Sequence, residues 1–161
     1  YRGLQLVTAP IIALVDADLG VSAEEVLCLV EPIREGEADM TVAVFPRCRR
    51  GGWGIVKKIA VWSIWRSSGC LLTEPLSGQR VLRRELLELL RYPPRGFGLE
   101  VGLALDLLSQ GYTVLEVNTN MSHRERGKDL MSILHRLRQL IAVLREIYLR
   151  RELLYLGRYL G

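Results

Sequence analysis

Long apolar runs are missing from this sequence. A membrane-spanning helix needs about 18 or more consecutive apolar residues, whereas Leu6 to Val15 is short and broken by Pro10, and the Leu-rich C-terminus is interrupted every few residues by Arg. A soluble or peripheral protein is predicted. Cysteine is also sparse: Cys28, Cys48 and Cys70 are odd in number and form no C-x-x-C pair. That argues against both a disulfide framework and a zinc knuckle, and it fits a reducing cytoplasm. Internal repeats and low-complexity linkers are absent too. At 161 residues, 49% apolar and 25% charged, the composition excludes disorder and fits one ordinary domain with a buried core.

The net charge of +4 is unevenly placed. From Arg124 to Arg158 there are nine Arg or Lys against Glu125, Asp129, Glu146 and Glu152, and the remainder is about neutral. A basic end favours phosphates, acidic lipids or nucleic acid without selecting among them, and a solvated helix face has the same composition. The chain opens at Tyr1 without a signal-like or transit-like segment and runs directly into Leu4, Leu6 and Val7, which read as the end of an amphipathic helix. It is expected to continue a longer chain.

Ile11 to Val15 is a continuously apolar, β-branched run of the kind buried on both faces in a parallel sheet. It ends in Asp16-Ala17-Asp18. Ser22 and Glu25 form a capping-box pattern, followed by Val26, Leu27, Leu29, Val30 and Ile33 at helical spacing, with Gly36 as the stop. Met40 to Phe45 is a second strand, halted by Pro46. The basic, glycine-rich Arg47 to Gly54 suits contact with an anion, and a helix follows through Ile64. Leu72 to Gln79 cannot be a regular helix; Arg83 to Leu90 is expected to resume one. Pro93 to Gly98 is a rigid loop, Leu99 to Gln110 a helix closed by Gly111, and Tyr112 to Val117 a third strand. A long final helix is predicted from about Asp129 to Tyr159, with Ile133, Leu137, Leu140, Leu144, Ile147 and Leu154 on one side.

Two carboxylates at the carboxyl end of a buried strand stand where open α/β sheets place their ligands. Asp16 and Asp18 together could hold a hard divalent ion through oxygen; either alone could cap the turn into the helix. The run Ile-Ile-Ala-Leu-Val-Asp-Ala-Asp-Leu resembles the strand and D-x-D motif of glycosyltransferase family 2 and its relatives with the GT-A fold. Three further islands occur in the order and approximate spacing of the glucosyl-3-phosphoglycerate synthase-like members of that class. They are Glu74 to Gly78, Gly96 to Leu103 with Asp106, and His123-Arg124-Glu125-Arg126. The resemblance covers most of the chain from Ile11 to about Gln139. It implies an α/β fold with a GT-A-like (Rossmann-like) open mixed sheet flanked by helices and a long C-terminal helix. The chain then reads as a single domain, residues 1–161, forming the C-terminal part of a glycosyltransferase domain: 1–128 as the metal, donor and acceptor region and 129–161 as the helix.

By the same resemblance, Asp18 is a direct ligand of Mg²⁺ or Mn²⁺, with His123 contributing, and Asp16 contacts the ribose or supports the ligands. Arg124 and Arg126 face the diphosphate, for which guanidinium is well shaped. Pro75, Leu76, Ser77 and Gly78 line the donor-sugar and acceptor pocket together with Gly98. Glu100 points at sugar hydroxyls or the acceptor: a general base in an inverting reaction, a positioning group in a retaining one. The sequence departs from the family in two places. Gly51 to Lys58 lacks the Arg and Thr that face the phosphate of phosphoglycerate, so that acceptor is not implied. The nucleotide-binding N-terminal half, with its P-x-Y-N-E and D-D-x-S segments, does not occur in these residues.

The expected activity is transfer of a sugar from a nucleotide-sugar, a UDP-sugar by family frequency, to a small-molecule or lipid-linked acceptor. An alternative is a polyprenyl-phosphate sugar transferase, since a basic amphipathic C-terminal helix, with Trp53, Trp62 and Trp65 elsewhere in the chain, could rest on an anionic membrane. A third reading is nucleic-acid binding through Arg47, Arg49, Arg50 and the last helix. It lacks a recognisable recognition element, and no nucleic acid partner is expected. The Leu-rich last helix leaves a homo-oligomer open.

Overall fold

The computed structural model describes residues 6–45, 54–90, 92, 96–121 and 131–156. Four strands form one sheet: β1 (Ile11–Leu14), β2 (Met40–Val44), β3 (Arg80–Arg83) and β4 (Val114–Asn118). Their spatial order is β1-β3-β2-β4. β3 runs antiparallel to both β1 and β2, and β2 pairs with β4 in parallel. The mixed open sheet is therefore as predicted, but β3 was not foreseen. Arg80-Val81-Leu82-Arg83 is a short run bracketed by charge, and the segment expected to resume a helix at Arg83 forms only a 3₁₀ turn, Arg84–Leu89.

The helices are α1 (Val26–Arg34), α2 (Gly54–Ser68), α3 (Leu99–Ser109), α4 (Met131–Leu149) and α5 (Arg151–Leu156). The capping box is not made. Gly20–Glu25 is a 3₁₀ turn with Leu19 as its N-cap residue, and the Ser22 hydroxyl donates back to the Leu19 carbonyl at 2.8 Å. Gly36 and Gly111 do stop their helices, at φ +77° and +85°, conformations that cost glycine little.

Alternation along the strands divides the core between two layers. Met40, Val42 and Leu82 face α2, α3, α4 and α5, joining Ile64, Leu103 and Val143. Ala43 and Val81 face the other side and meet Leu29 and Ile33 of α1. Each of the Val, Leu, Ile and Met side chains contributes roughly 1.5–3 kcal/mol through burial. The run Val101 to Leu107 of α3 is buried on every side, which makes α3 the central helix of its layer.

The long last helix is interrupted at Arg150, and its inward face is not the predicted one. Gln139, Val143, Glu146, Arg150 and Leu153 are buried, whereas Leu137 and Leu144 stand 51% and 45% exposed. Leu140, Ile147 and Leu154 are half-buried at the margin, and the side chain of Ile133 lies outside the described residues, as do 157–161. The cause is a buried ion cluster. Arg150 donates to both Asp106 oxygens, at 2.8 and 2.6 Å, and to Glu146. Burial lowers the Arg150 guanidinium, but the two carboxylates outweigh it and hold the group above its ordinary value. Trp62 and Trp65 are half exposed on α2; Trp53 and the basic loop from Arg47 lie outside the described residues, as do Tyr1 to Gln5.

Candidate active site

The reversed strand builds the site. Because β3 starts where β1 and β2 end, with Arg80 registered against Leu14 and Val42, the residues just before it lie across the carboxyl ends of both strands. Asp16 follows β1 at that same end. The segment Pro75 to Gln79 and the first half of the D-x-D pair, some sixty positions apart in sequence, thus come into contact. Gln79 donates through Nε2 to Asp16 Oδ2 at 3.0 Å. Gly78 is pressed against the same carboxylate: a Cβ there would stand 2.8 Å from Asp16 Oδ2.

A second carboxylate fastens the start of this segment. Glu116 of β4 accepts from the Thr73 amide and hydroxyl at 2.9 and 2.8 Å and from the Glu74 amide at 2.6 Å. Lys57 of α2 pairs with Glu74 at 2.6 Å. The far side is held by Arg80, wholly buried, whose Nε and two terminal nitrogens donate to the carbonyls of Ser77, Glu100 and Pro75 at 2.9, 2.9 and 2.6 Å. One guanidinium therefore ties the Pro75–Ser77 loop to the first turn of α3. Burial pulls it down to about 10, against the favourable charges of Glu100 and Glu116. Sequence reasoning missed Arg80, Gln79 and Glu116; Gln79 and Arg80 adjoin the Glu74–Gly78 island, whereas Glu116 carried no such signal.

Glu100 enters the same neighbourhood from the first turn of α3. Burial pushes its carboxyl above the ordinary value. A backbone hydrogen bond and Arg80 act against the rise, and the Asp16 charge adds to it. Two buried polar atoms of the loop, Ser77 Oγ and Gln79 Oε1, have no hydrogen-bond partner. Orphaned groups of this kind cost about 1–3 kcal/mol each, a cost that a ligand hydroxyl would offset at either atom and a phosphate oxygen only by accepting from Ser77.

Asp18 sits half-buried on the turn after Asp16. Two carboxylate donors at a strand end suit a hard cation; among the described residues no three His, Cys, Asp or Glu side chains converge as a metal site. His123, Arg124 and Arg126 lie outside the described residues. The structure thus brings together Asp16, Pro75, Leu76, Ser77, Gly78 and Glu100. It places Gly98 elsewhere: a Cβ there would collide with Glu146 Cγ and stand 3.0 Å from the Ala142 carbonyl oxygen. Gly102 leaves room for the Arg150 guanidinium, with a Cβ at 3.2 Å from it. Gly98, Gly102 and Asp106, one stripe of α3 and the turn before it, therefore have packing duties against the last helix.

The four-stranded open sheet flanked by helices matches the GT-A glycosyltransferase fold. Among solved structures the chain is similar to glucosyl-3-phosphoglycerate synthase from Mycobacterium tuberculosis. In its complex with Mn²⁺, UDP-glucose and phosphoglyceric acid that enzyme superposes with a TM-score of 0.65 and 28% identity, over 90% of this chain and 52% of the other. The complex with phosphoglyceric acid gives 0.64 and 26%, over 92% and 52%. The complex with Mg²⁺ and UDP gives 0.69 and 25%, over 92% and 52%. The chain spans about half the length of these enzymes. No protein-family model and no curated protein matches it.

Proposed function

We propose that the chain forms the metal-binding and acceptor-side half of a glycosyltransferase that moves a sugar from a nucleotide-sugar to an acceptor hydroxyl with Mg²⁺ or Mn²⁺. The observation that carries this reading is the contact of the Pro75–Gln79 loop with the Asp16 carboxylate at the end of β1, supported by likeness to enzymes crystallised with UDP-glucose and Mn²⁺. UDP is the proposed nucleotide on the strength of those complexes. Phosphoglycerate is not the proposed acceptor, because the Gly51–Lys58 stretch lacks the polar pair expected to hold its phosphate.

Asp18 would hold the ion directly, with His123 contributing and Asp16 supporting them or contacting the ribose. The ion, when bound, supplies electrostatic stabilisation of the departing diphosphate. Arg124 and Arg126 add charge of the same sign. The Ser77 hydroxyl and the Gln79 carbonyl, short of partners, orient the sugar. Glu100, with its raised affinity for a proton, is suited to take the acceptor's proton or to hold it in place. The acceptor itself is a small molecule or a lipid-linked one.

The test is calorimetric titration of the chain with UDP and UDP-glucose, with and without Mn²⁺, beside Asp18→Ala. Metal-dependent binding that disappears in the variant is the expected result. Binding of equal strength in the variant overturns the assignment of Asp18, and nucleotide binding indifferent to metal overturns the metal site.

A further inference from the structure

The outer face of α4 is built unlike a solvated helix. Leu137, Ile141, Leu144 and Tyr148 recur at four- and three-residue spacing and stand 51%, 57%, 45% and 64% exposed. They lie opposite the buried, partly polar stripe of Gln139, Val143 and Glu146, so the outer face is the more apolar of the two. Arg138 and Arg145, both exposed, flank the outer stripe along one margin. Arg151, at the start of α5, stacks on the Tyr148 ring at 4.6 Å. The charge around this stripe is of one sign because the helix's single acid, Glu146, is turned inward and consumed by Arg150. Glu152 of α5 is the nearest exposed acid along the chain.

We infer that this face docks on a bilayer carrying anionic lipid, with α4 lying in the interface plane. An apolar stripe edged by arginines is what such a helix needs: the stripe enters the acyl boundary while the guanidiniums meet lipid phosphates. Among the described residues no helix is long and apolar enough to cross, so the contact is peripheral. A second copy of the chain is the poorer occupant, since pairing two such faces sets arginines against arginines without an exposed acid on either α4. Nucleic acid is poorer still, because the centre of the face is hydrocarbon. The inference is independent of the proposed transferase activity; it needs neither metal nor nucleotide.

Co-sedimentation of the chain with vesicles of phosphatidylcholine containing one-third phosphatidylglycerol, compared with pure phosphatidylcholine, tests it at low and physiological salt. Binding to the anionic vesicles is expected, weakened by salt and weaker still on the neutral ones. Ile141→Gln with Leu144→Gln should reduce the partition by about tenfold or more. Arg138→Glu with Arg145→Glu, on exposed side chains that leave the core intact, should reduce it by about tenfold or more. Failure of the folded chain to bind anionic vesicles overturns the inference, as does binding that neither variant changes. A stable dimer in sedimentation velocity that Ile141→Gln with Leu144→Gln dissolves would assign the face to self-association instead.

Discussion

Replacing Arg80 by Met separates the guanidinium's role from the space it fills. The wild-type group makes three hydrogen bonds to carbonyls at 2.6–2.9 Å. Each bond to a charged donor is worth about 1.5–3 kcal/mol. Against this stands the cost of burying the charge. A fall in pKa to about 10 corresponds to about 3 kcal/mol of penalty that methionine does not incur. The balance is a loss of about 1.5–6 kcal/mol. That is large beside a typical total of about 5–15 kcal/mol. Urea unfolding measures the loss. Amide exchange at Ser77, whose N–H donates to Glu74 at 3.1 Å, reports whether the loop has come away. Arg80→Lys should recover only part of the stability, since an ammonium cannot fork toward three carbonyls. A loss under about 0.5 kcal/mol with unchanged Ser77 protection would refute the clamp.

Gly98→Ala places a methyl against Glu146 and Ala142 and should cost roughly 1–3 kcal/mol by overpacking, read as a lowered Tm. Asp106→Ala removes one of the two carboxylates that hold the buried Arg150, leaving it Glu146, and should cost about 3 kcal/mol; replacing the whole cluster, Asp106→Leu with Arg150→Met and Glu146→Gln, should restore much of it in the same unfolding assay. Glu100 has its folded-state pKa raised by burial, so the native state holds its proton after the unfolded chain has released it. Its contribution to stability is greatest below the ordinary carboxylate range and declines as pH rises through the raised value. Glu100→Gln should therefore gain in Tm over the wild type more at pH 7 than at pH 4, and an equal difference at both would contradict the buried placement.

How much could be read from sequence depended on what each segment buries. β1, β2 and β4 announced themselves as short apolar runs, and α1 and α3 as helices ended by Gly36 and Gly111, because apolar periodicity and glycine stops are local signals. β3 did not, since its identity as a strand depends on neighbours 66 positions earlier at Leu14 and 38 earlier at Val42. The inner face of α4 was misjudged because it is partly polar: Gln139, Glu146 and Arg150 make sense only beside Asp106, and a hydrophobic count assigns the leucines inward. At the site, Asp16, the Pro75–Gly78 segment and Glu100 were legible as islands, but what holds them together was not. Gly98 and Asp106 were legible for the opposite reason: residues fixed by helix packing sit in the same motif as residues facing the site.

The position of β3 also governs when the site comes into being. β1 and β2 are not adjacent; each meets the other only through a strand made much later along the chain. Until β3 pairs between β1 and β2, the Asp16 carboxylate has no Pro75–Gln79 loop to face it. The ligand capture proposed for Asp16 therefore requires the sheet to be complete.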